Sequence, residues 1–285
     1  MIYIHAHGIH NTIPADDQPD LMKELKELTG KVYRRSDHFV QLAIIGAHKA
    51  VNGHELPEQT AIYLTSGQGN ISVFSRICEQ RHIYKCLPRP VDFINLLSNS
   101  AGFYVADHLG LNGKNLFLSH HCFPVQMTML AACNEIKLRK QPAILAGGVD
   151  EWFADQRLAK NLLGVEERTV LGEGSNWLLL SPKPEGALAA VEIKINVGKN
   201  ELPQLLSATG NETWLAFSTG FPQDQVVEIM NINNKCKRYS YEDSCGYYET
   251  LPFYVLSRFL GRKRGRLIHL DISDGRYVAM IVERS

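Results

Sequence analysis

The stretch Asn115-Leu-Phe-Leu-Ser-His-His-Cys-Phe-Pro-Val-Gln-Met-Thr-Met-Leu130 decides how the rest of the chain is read. Asn115 to Ser119 is strand-like, and an apolar helix over Pro124–Lys140 follows almost at once. Cys122 stands between them. A thiol at a strand-to-helix turn lies beside unpaired helix-start N–H groups and the positive end of the helix dipole, which favour thiolate. The same N–H groups can serve as an oxyanion hole for acyl transfer. Pro124 suits the first helical turn, where its missing N–H forfeits no hydrogen bond. Cys122 is thus a candidate nucleophile, set against the alternative of a structural cysteine. His120 and His121 flank it, and one of them could form a thiolate–imidazolium pair. Neighbours at a strand end point opposite ways, so at most one of the two faces the thiol.

Outward from this turn, short apolar runs alternate with amphipathic ones, the rhythm of an α/β protein. Strands are expected at Ile2–Ile4, Thr60–Thr65 and Ala143–Ala146, with a helix over Phe39–Val51 and a turn and helix within Val91–Leu109. A second series follows: strands at Trp177–Leu180, Ala189–Val197 and Thr213–Phe217, with helices over Glu201–Ala208, Asp224–Ile232 and Tyr248–Leu260. Strands Arg266–Ile272 and Tyr277–Glu283 close the chain around the turn Asp274-Gly275. The two series suggest two similar halves, residues 1–170 and 171–285, forming one unit.

Composition narrows the function classes. The chain has 285 residues, with 45% hydrophobic and 21% charged, as in an ordinary globular protein. Thirty basic residues balance 30 acidic ones, so no net field draws nucleic acid or an anionic membrane. The basic run Arg262-Lys263-Arg264-Gly265-Arg266 reads as a solvated helix end. The cysteines at 78, 86, 122, 133, 236 and 245 form no C-x-x-C pair, which points to reduced thiols in the cytoplasm. No apolar run reaches membrane-spanning length. His5, His7 and His10 raise a metal reading, but His5 and His7 share a strand face while His10 falls in the next loop, so no metal is expected.

Five segments in register over residues 42 to 180 resemble the β-ketoacyl synthases of fatty acid and polyketide synthesis. They are Leu42–Val51 followed by Ala61-Ile-Tyr-Leu-Thr-Ser-Gly67, Pro90-Val-Asp-Phe-Ile-Asn-Leu-Leu-Ser-Asn-Ser-Ala-Gly102, Ser119-His-His-Cys122, Ile144-Leu-Ala-Gly-Gly-Val-Asp-Glu151, and Val170-Leu-Gly-Glu-Gly174. The resemblance implies the thiolase-like fold: two α/β halves stacked as five layers, αβαβα, here shortened. It places Cys122 at the nucleophile position. It also implies a dimer in which the strand Asn115, Leu116, Phe117, Leu118 and Ser119 pairs across a two-fold axis. No cofactor is implied.

The departures matter as much. A ketosynthase needs two histidines for malonyl decarboxylation and a lysine that orients one of them. The first histidine's motif corresponds to Ala216-Phe-Ser-Thr-Gly-Phe221, which puts Phe217 at its position. The lysine and second histidine correspond to Glu242-Asp-Ser-Cys-Gly-Tyr247, which puts Glu242 and Tyr247 there. A phenol can donate one hydrogen bond but is no base near neutral pH. The family's glycine-rich loop would fall near Asp271–Gly275, where Gly275 alone remains. A kept fold with lost histidines resembles the chain-length factors, partner subunits of an active ketosynthase that meet the acyl carrier protein through that complex. The short length and Ser98-Asn-Ser-Ala-Gly-Phe-Tyr-Val105 resemble the ketosynthase-like subunits of aryl polyene clusters. Chain-length factors usually replace the nucleophile, so the retained Cys122 leaves a cysteine-dependent acyltransferase or thioesterase as the alternative.

Overall fold

The computed structural model describes residues 1–13, 20–153, 155–207, 212–241 and 244–284. Glu242, read at the lysine position, lies outside the described residues, as does Ala208 at the end of an expected helix.

The strands β1 (Ile2–Thr12), β2 (Ala61–Thr65), β3 (Asn115–Leu118), β4 (Ile144–Asp150) and β5 (Glu173–Ser181) are followed by β6 (Ala189–Val197), β7 (Thr213–Phe217), β8 (Lys237–Arg238), β9 (Gly265–Ser273) and β10 (Arg276–Arg284). Their hydrogen-bonded order is β3-β2-β4-β5-β1-β6-β10-β9-β7-β8. Matching β6–β10 to β1–β5 makes this order a palindrome. The directions match too: β2 runs parallel to β3 and β4, and β4 antiparallel to β5. In the same way β7 runs parallel to β8 and β9, and β9 antiparallel to β10. The chain is therefore two similar halves joined edge to edge where Ile2, Tyr3 and Ile4 pair with Val191, Ala190 and Ala189. Because β5 pairs with β4 and β1, the repeat turns over within residues 182–188. A second half opening at residue 171 puts β5 on the other side of that division.

The side-chain alternation of each strand builds five layers. One face of β1, β2, β4 and β5 joins one face of β7, β9 and β10 in a central core, with Tyr63, Ile144, Leu178, Leu267 and Met280. Between the two halves of the sheet lie α6 (Pro124–Lys137) and α10 (Leu251–Arg262), which contribute Met129, Ile136, Phe253 and Phe259. The opposite faces meet outer helices. On the first half these are α1 (Leu21–Thr29), α2 (His38–Val51) and α5 (Ser100–Leu109). On the second they are the four-residue α8 (Leu202–Leu205) and α9 (Gln223–Ile232).

Glycines permit the closest approaches. A Cβ on Gly147 would stand 2.0 Å from the Trp177 ring, and one on Gly148 would stand 2.5 Å from Thr250 at the start of α10. The paired glycines of Ile144–Glu151 thus let β4 lie under an indole on one face and a helix on the other. β1 runs to Thr12 rather than stopping at Ile4, which places His10 in the strand and not in a following loop. Its Gly8 lies against the Ala50 backbone of α2, where a Cβ would stand 2.3 Å away. The helix expected from Glu201 is a 3-10 turn followed by α8. The last long helix begins at Leu251 rather than Tyr248.

Candidate functional site

The two central helices start at one cavity of about 220 Å³. Pro124 opens α6 on one side, and Leu251 and Pro252 open α10 on the other. Cys122 and His121 line the cavity from the first half, while Ser218, Thr219, Tyr247, Glu249 and Asp271 line it from the second. Every polar group comes from the end of a strand or the start of a helix, where backbone pairing stops and side chains are free to converge.

Cys122 is exposed, and its sulfur accepts a hydrogen bond from the Ser273 hydroxyl at 3.6 Å. Ser273 ends β9, just before the tight turn in which Asp274 and Gly275 both take positive φ, 50° and 70°. That two-residue turn with left-handed centres is the geometry that joins twisted antiparallel strands, and it brings the tip of the second half onto the thiol. The histidines beside Cys122, both in the loop after β3, point different ways. His121 lines the cavity. His120 turns back on the helix start: its Nδ1 accepts from the N–H of Cys122 at 3.2 Å and of Phe123 at 3.0 Å. Its ring also stacks on Phe123, with centroids 5.9 Å apart. Two N–H groups just ahead of α6 that an oxyanion could use are thus taken up by the His120 ring.

The two positions read as lost histidines have different surroundings. Tyr247 faces the cavity, and burial pushes its phenol well above the usual range, so it stays protonated. Phe217 points the other way, into the outer core with Leu215, Phe221 and Leu270. Its neighbour Ser218 faces the site instead and donates to Asp271 at 2.7 Å.

Two carboxyls went unnoticed in the sequence. Asp271 accepts from Ser218, from Gln126 of α6 at 3.1 Å and from the Ile272 N–H at 2.8 Å. Burial outweighs these bonds and pushes its pKa up to about 6. Burial, and then the nearby charge of Asp150, push Glu249 up to about 7. The signal for Asp271 was its parity on β9: Leu267 points into the central layer, so residues 269 and 271 do as well. Asp150 ties the floor together, accepting from the Ser66 hydroxyl, the Gly67 N–H and the Thr250 N–H. Beyond it, Glu151 accepts from the Ser72 N–H and is pushed by burial up to about 7. Among the described residues no group of three or more His, Cys, Asp or Glu side chains is placed to hold a metal ion, and no helix is long and apolar enough to cross a membrane. His5 bonds to the Lys183 carbonyl and Ser181, and His10 to Lys49.

The strand Asn115–Ser119 divides between β3 and the loop after it. β3 is one of the sheet's two edge strands, paired among the described residues with β2, and its Leu116, Phe117 and Leu118 are half-buried. Beside it lies a groove of about 350 Å³ lined by Phe39, Phe74, Leu96, Leu97 and Phe117. The nearby helices α3 (Ile71–His82), α4 (Pro90–Leu96) and α5 expose Phe74, Phe93 and Phe103 at 50%, 62% and 64%.

Neither a protein-family model nor a curated protein sequence matches the chain. Solved structures do match its shape. The ishigamide ketosynthase/chain length factor superposes with a TM-score of 0.72 over 99% of both chains, at 12% identity. A β-ketoacyl synthase from Burkholderia phymatum STM815 gives 0.66 over 100% of this chain and 99% of its own, at 13% identity. A type II polyketide synthase ketosynthase, solved in complex with its acyl-carrier protein, gives 0.66 over 100% and 99%, at 12% identity. These likenesses establish the thiolase-like fold of ketosynthases across the whole chain.

Proposed function

We propose that this thiolase-fold chain is a non-condensing, chain-length-factor-type subunit that pairs with an active ketosynthase and shapes the channel for its acyl chain. The pathway class would be polyketide or fatty-acid-like synthesis, the aryl polyenes included, with the acyl carrier protein reached through the complex. The observation that carries this reading is the second-half wall of the Cys122 cavity, built from Ser218, Thr219, Tyr247, Glu249 and Asp271. Decarboxylative condensation develops negative charge that positioned donors must stabilise, and losing one donor costs about two to three orders of magnitude. Here the wall offers hydroxyls, a phenol and two carboxyls. Once ionised, those carboxyls repel a malonyl carboxylate rather than hold it.

Pairing is supported by the edge of β3 and the apolar face of α3, α4 and α5. An open strand edge invites strand addition, and an exposed aromatic patch beside it fits a buried interface. A heterodimer therefore fits this face, working in the cytoplasm where the free cysteines remain reduced. A second reading, a Cys122-dependent acyltransferase or thioesterase, is favoured by His121 in the cavity and the Ser273 hydroxyl on the sulfur.

Co-expression with a set of active ketosynthases, followed by mass spectrometry after loading with an acyl carrier substrate, tests both. A one-to-one complex with acyl mass only on the partner is expected. Acyl mass on Cys122 supports the second reading, and a homodimer indifferent to ketosynthases removes the first.

A further inference from the structure

Cys122 has been kept where an acyl-accepting thiol would stand, yet the groups around it are arranged against acyl transfer. In a transfer from a thioester, the Cys122 sulfur bonds to the donor's carbonyl carbon and the carbonyl oxygen becomes an oxyanion. The bond from that carbon to the donor's sulfur then breaks, and the proton lost by Cys122 ends on the departing thiol. The oxyanion needs N–H donors aimed at it. The two nearest along the chain, those of Cys122 and Phe123, both point at Nδ1 of His120. To accept them the ring must carry its proton on Nε2, leaving a lone pair on Nδ1. An oxyanion brought to the same place would meet that lone pair. The stack of the ring on Phe123 helps to hold it there.

We propose that His120 withholds Cys122 from acyl transfer by occupying the backbone donors that a thioester oxyanion would use. This deepens the non-condensing reading and rests on it for its biological meaning. It separates two properties usually lost together: the thiol remains open to small electrophiles, while the thioester reaction is blocked. Acylation needs the oxyanion donors, whereas alkylation by iodoacetamide, a displacement at a saturated carbon, does not. His120 acts through the backbone of its neighbours and is a positioning residue.

The experiment compares the two reactions on the isolated full chain. Hexanoyl-N-acetylcysteamine and iodoacetamide are each added to the unaltered protein and to the His120→Ala, His120→Gly and His120→Asn variants, and modification of Cys122 is followed by peptide mass spectrometry. Alanine and glycine remove the acceptor. Asparagine restores one, because its side-chain oxygen accepts N–H groups two and three residues on. The expected result is acylation faster by about tenfold or more in the alanine and glycine variants, with alkylation changed by less than about twofold. The asparagine variant should stay near the unaltered protein in both. Two small variants are used so that poor folding of one leaves the other to decide. The proposal fails if the unaltered protein acylates as fast as the alanine variant. It fails equally if acylation and alkylation rise together, or if no variant gains acylation. Pairing plays no part in these rates, so a negative result here leaves the partner-subunit reading standing, and failed co-purification leaves this result standing.

Discussion

The two halves share one strand order and differ in what they attach to it. The first covers its outer face with α2, which buries Phe39, Leu42, Ile44 and Ile45, and sets α1 and α5 around it. The second, among the described residues, covers the equivalent face with the shorter α8 and α9. The strand ends differ in the same sense: the first half presents Cys122 and His121 at the start of α6, and the second presents Ser218, Thr219 and Asp271. Side-chain alternation in the strands holds the fold, and residues at strand ends can change without disturbing it. Sequence can therefore drift far at the site while all five layers persist.

The sharpest way to break this comparison is to remove one indole from each half. Trp177 is fully buried, packs on Gly147 and donates to the Ser175 hydroxyl at 2.8 Å. Trp177→Ala should cost about 3–5 kcal/mol, the range for a buried tryptophan. Trp214 is only half-buried, with Lys263 and Lys237 over its ring at 4.5 and 5.4 Å. Trp214→Ala should cost about 1–2 kcal/mol, from partial burial and cation–π contact. Urea unfolding measures both. Equal losses would show that the halves contribute alike despite their unequal layers.

A second test uses the buried imidazole of the second half. His269 is completely buried on β9 among the described residues, with neither ring nitrogen hydrogen-bonded, and burial lowers its pKa to about 4. The unfolded chain takes up this proton near pH 6.5, and the folded chain resists until about pH 4. His269 therefore favours the folded state above pH 6.5, and this advantage is lost as the pH falls toward 4. The carboxyls of Asp271, Glu249 and Glu151 have the opposite sign. Raised to about 6, 7 and 7, they favour the folded state at acid pH, and that advantage is lost as pH rises through those values. His269→Leu should remove the imidazole's contribution while leaving those of the carboxyls and of His108, whose pKa burial also lowers to about 4, in place. Relative to the unaltered protein, its gain should grow by up to about 3 kcal/mol between pH 7 and pH 4. A gain independent of pH would mean that His269 takes up its proton at the same pH in the folded and unfolded chains.

The same contrast explains what the sequence made legible. Alternation and glycine pairs made the strands of both halves readable, because a buried strand must be apolar on each side that is covered. The boundary between halves was not readable there, since β5 looks alike whether it ends one sheet or opens the next. Its hydrogen-bonded partners lie at 3–12 and 144–150. The motif around Cys122 was legible as a strand-to-helix turn. The cap made by His120 was not, because a histidine two residues before a thiol reads equally well as its base. Asp271 and Glu249 were missed because a single carboxyl in a strand or turn ordinarily faces water. Only the convergence of α6, α10 and β9 gives them a cavity.

The interface reading gives a smaller effect on the chain itself. Phe117→Lys on β3 puts a charge on an outer strand that is only half-buried, so the isolated chain should lose about 1 kcal/mol or less. Co-purification with a ketosynthase should nevertheless fall sharply, because a buried interface would have to desolvate the ammonium group. The matching change at the other end of the sheet, Arg238→Glu on β8, should leave co-purification unchanged. Loss in both would place the partner elsewhere.

The smallest expected effect is at the residue that first drew attention. Cys122 is exposed, and the hydrogen bond it accepts from Ser273 is a long one to sulfur. Cys122→Ser should therefore change stability by less than about 0.5 kcal/mol, as for most surface positions. On the partner-subunit reading it should leave both the product and its chain length unaltered in a complex with an active ketosynthase, whose own thiol would bear the acyl chain. Iodoacetamide labelling at this position should disappear. If product formation instead collapses while the complex stays intact, the thiol is itself an acyl carrier. The first half would then hold a working nucleophile, and the difference between the halves would be a division of labour rather than a loss of chemistry.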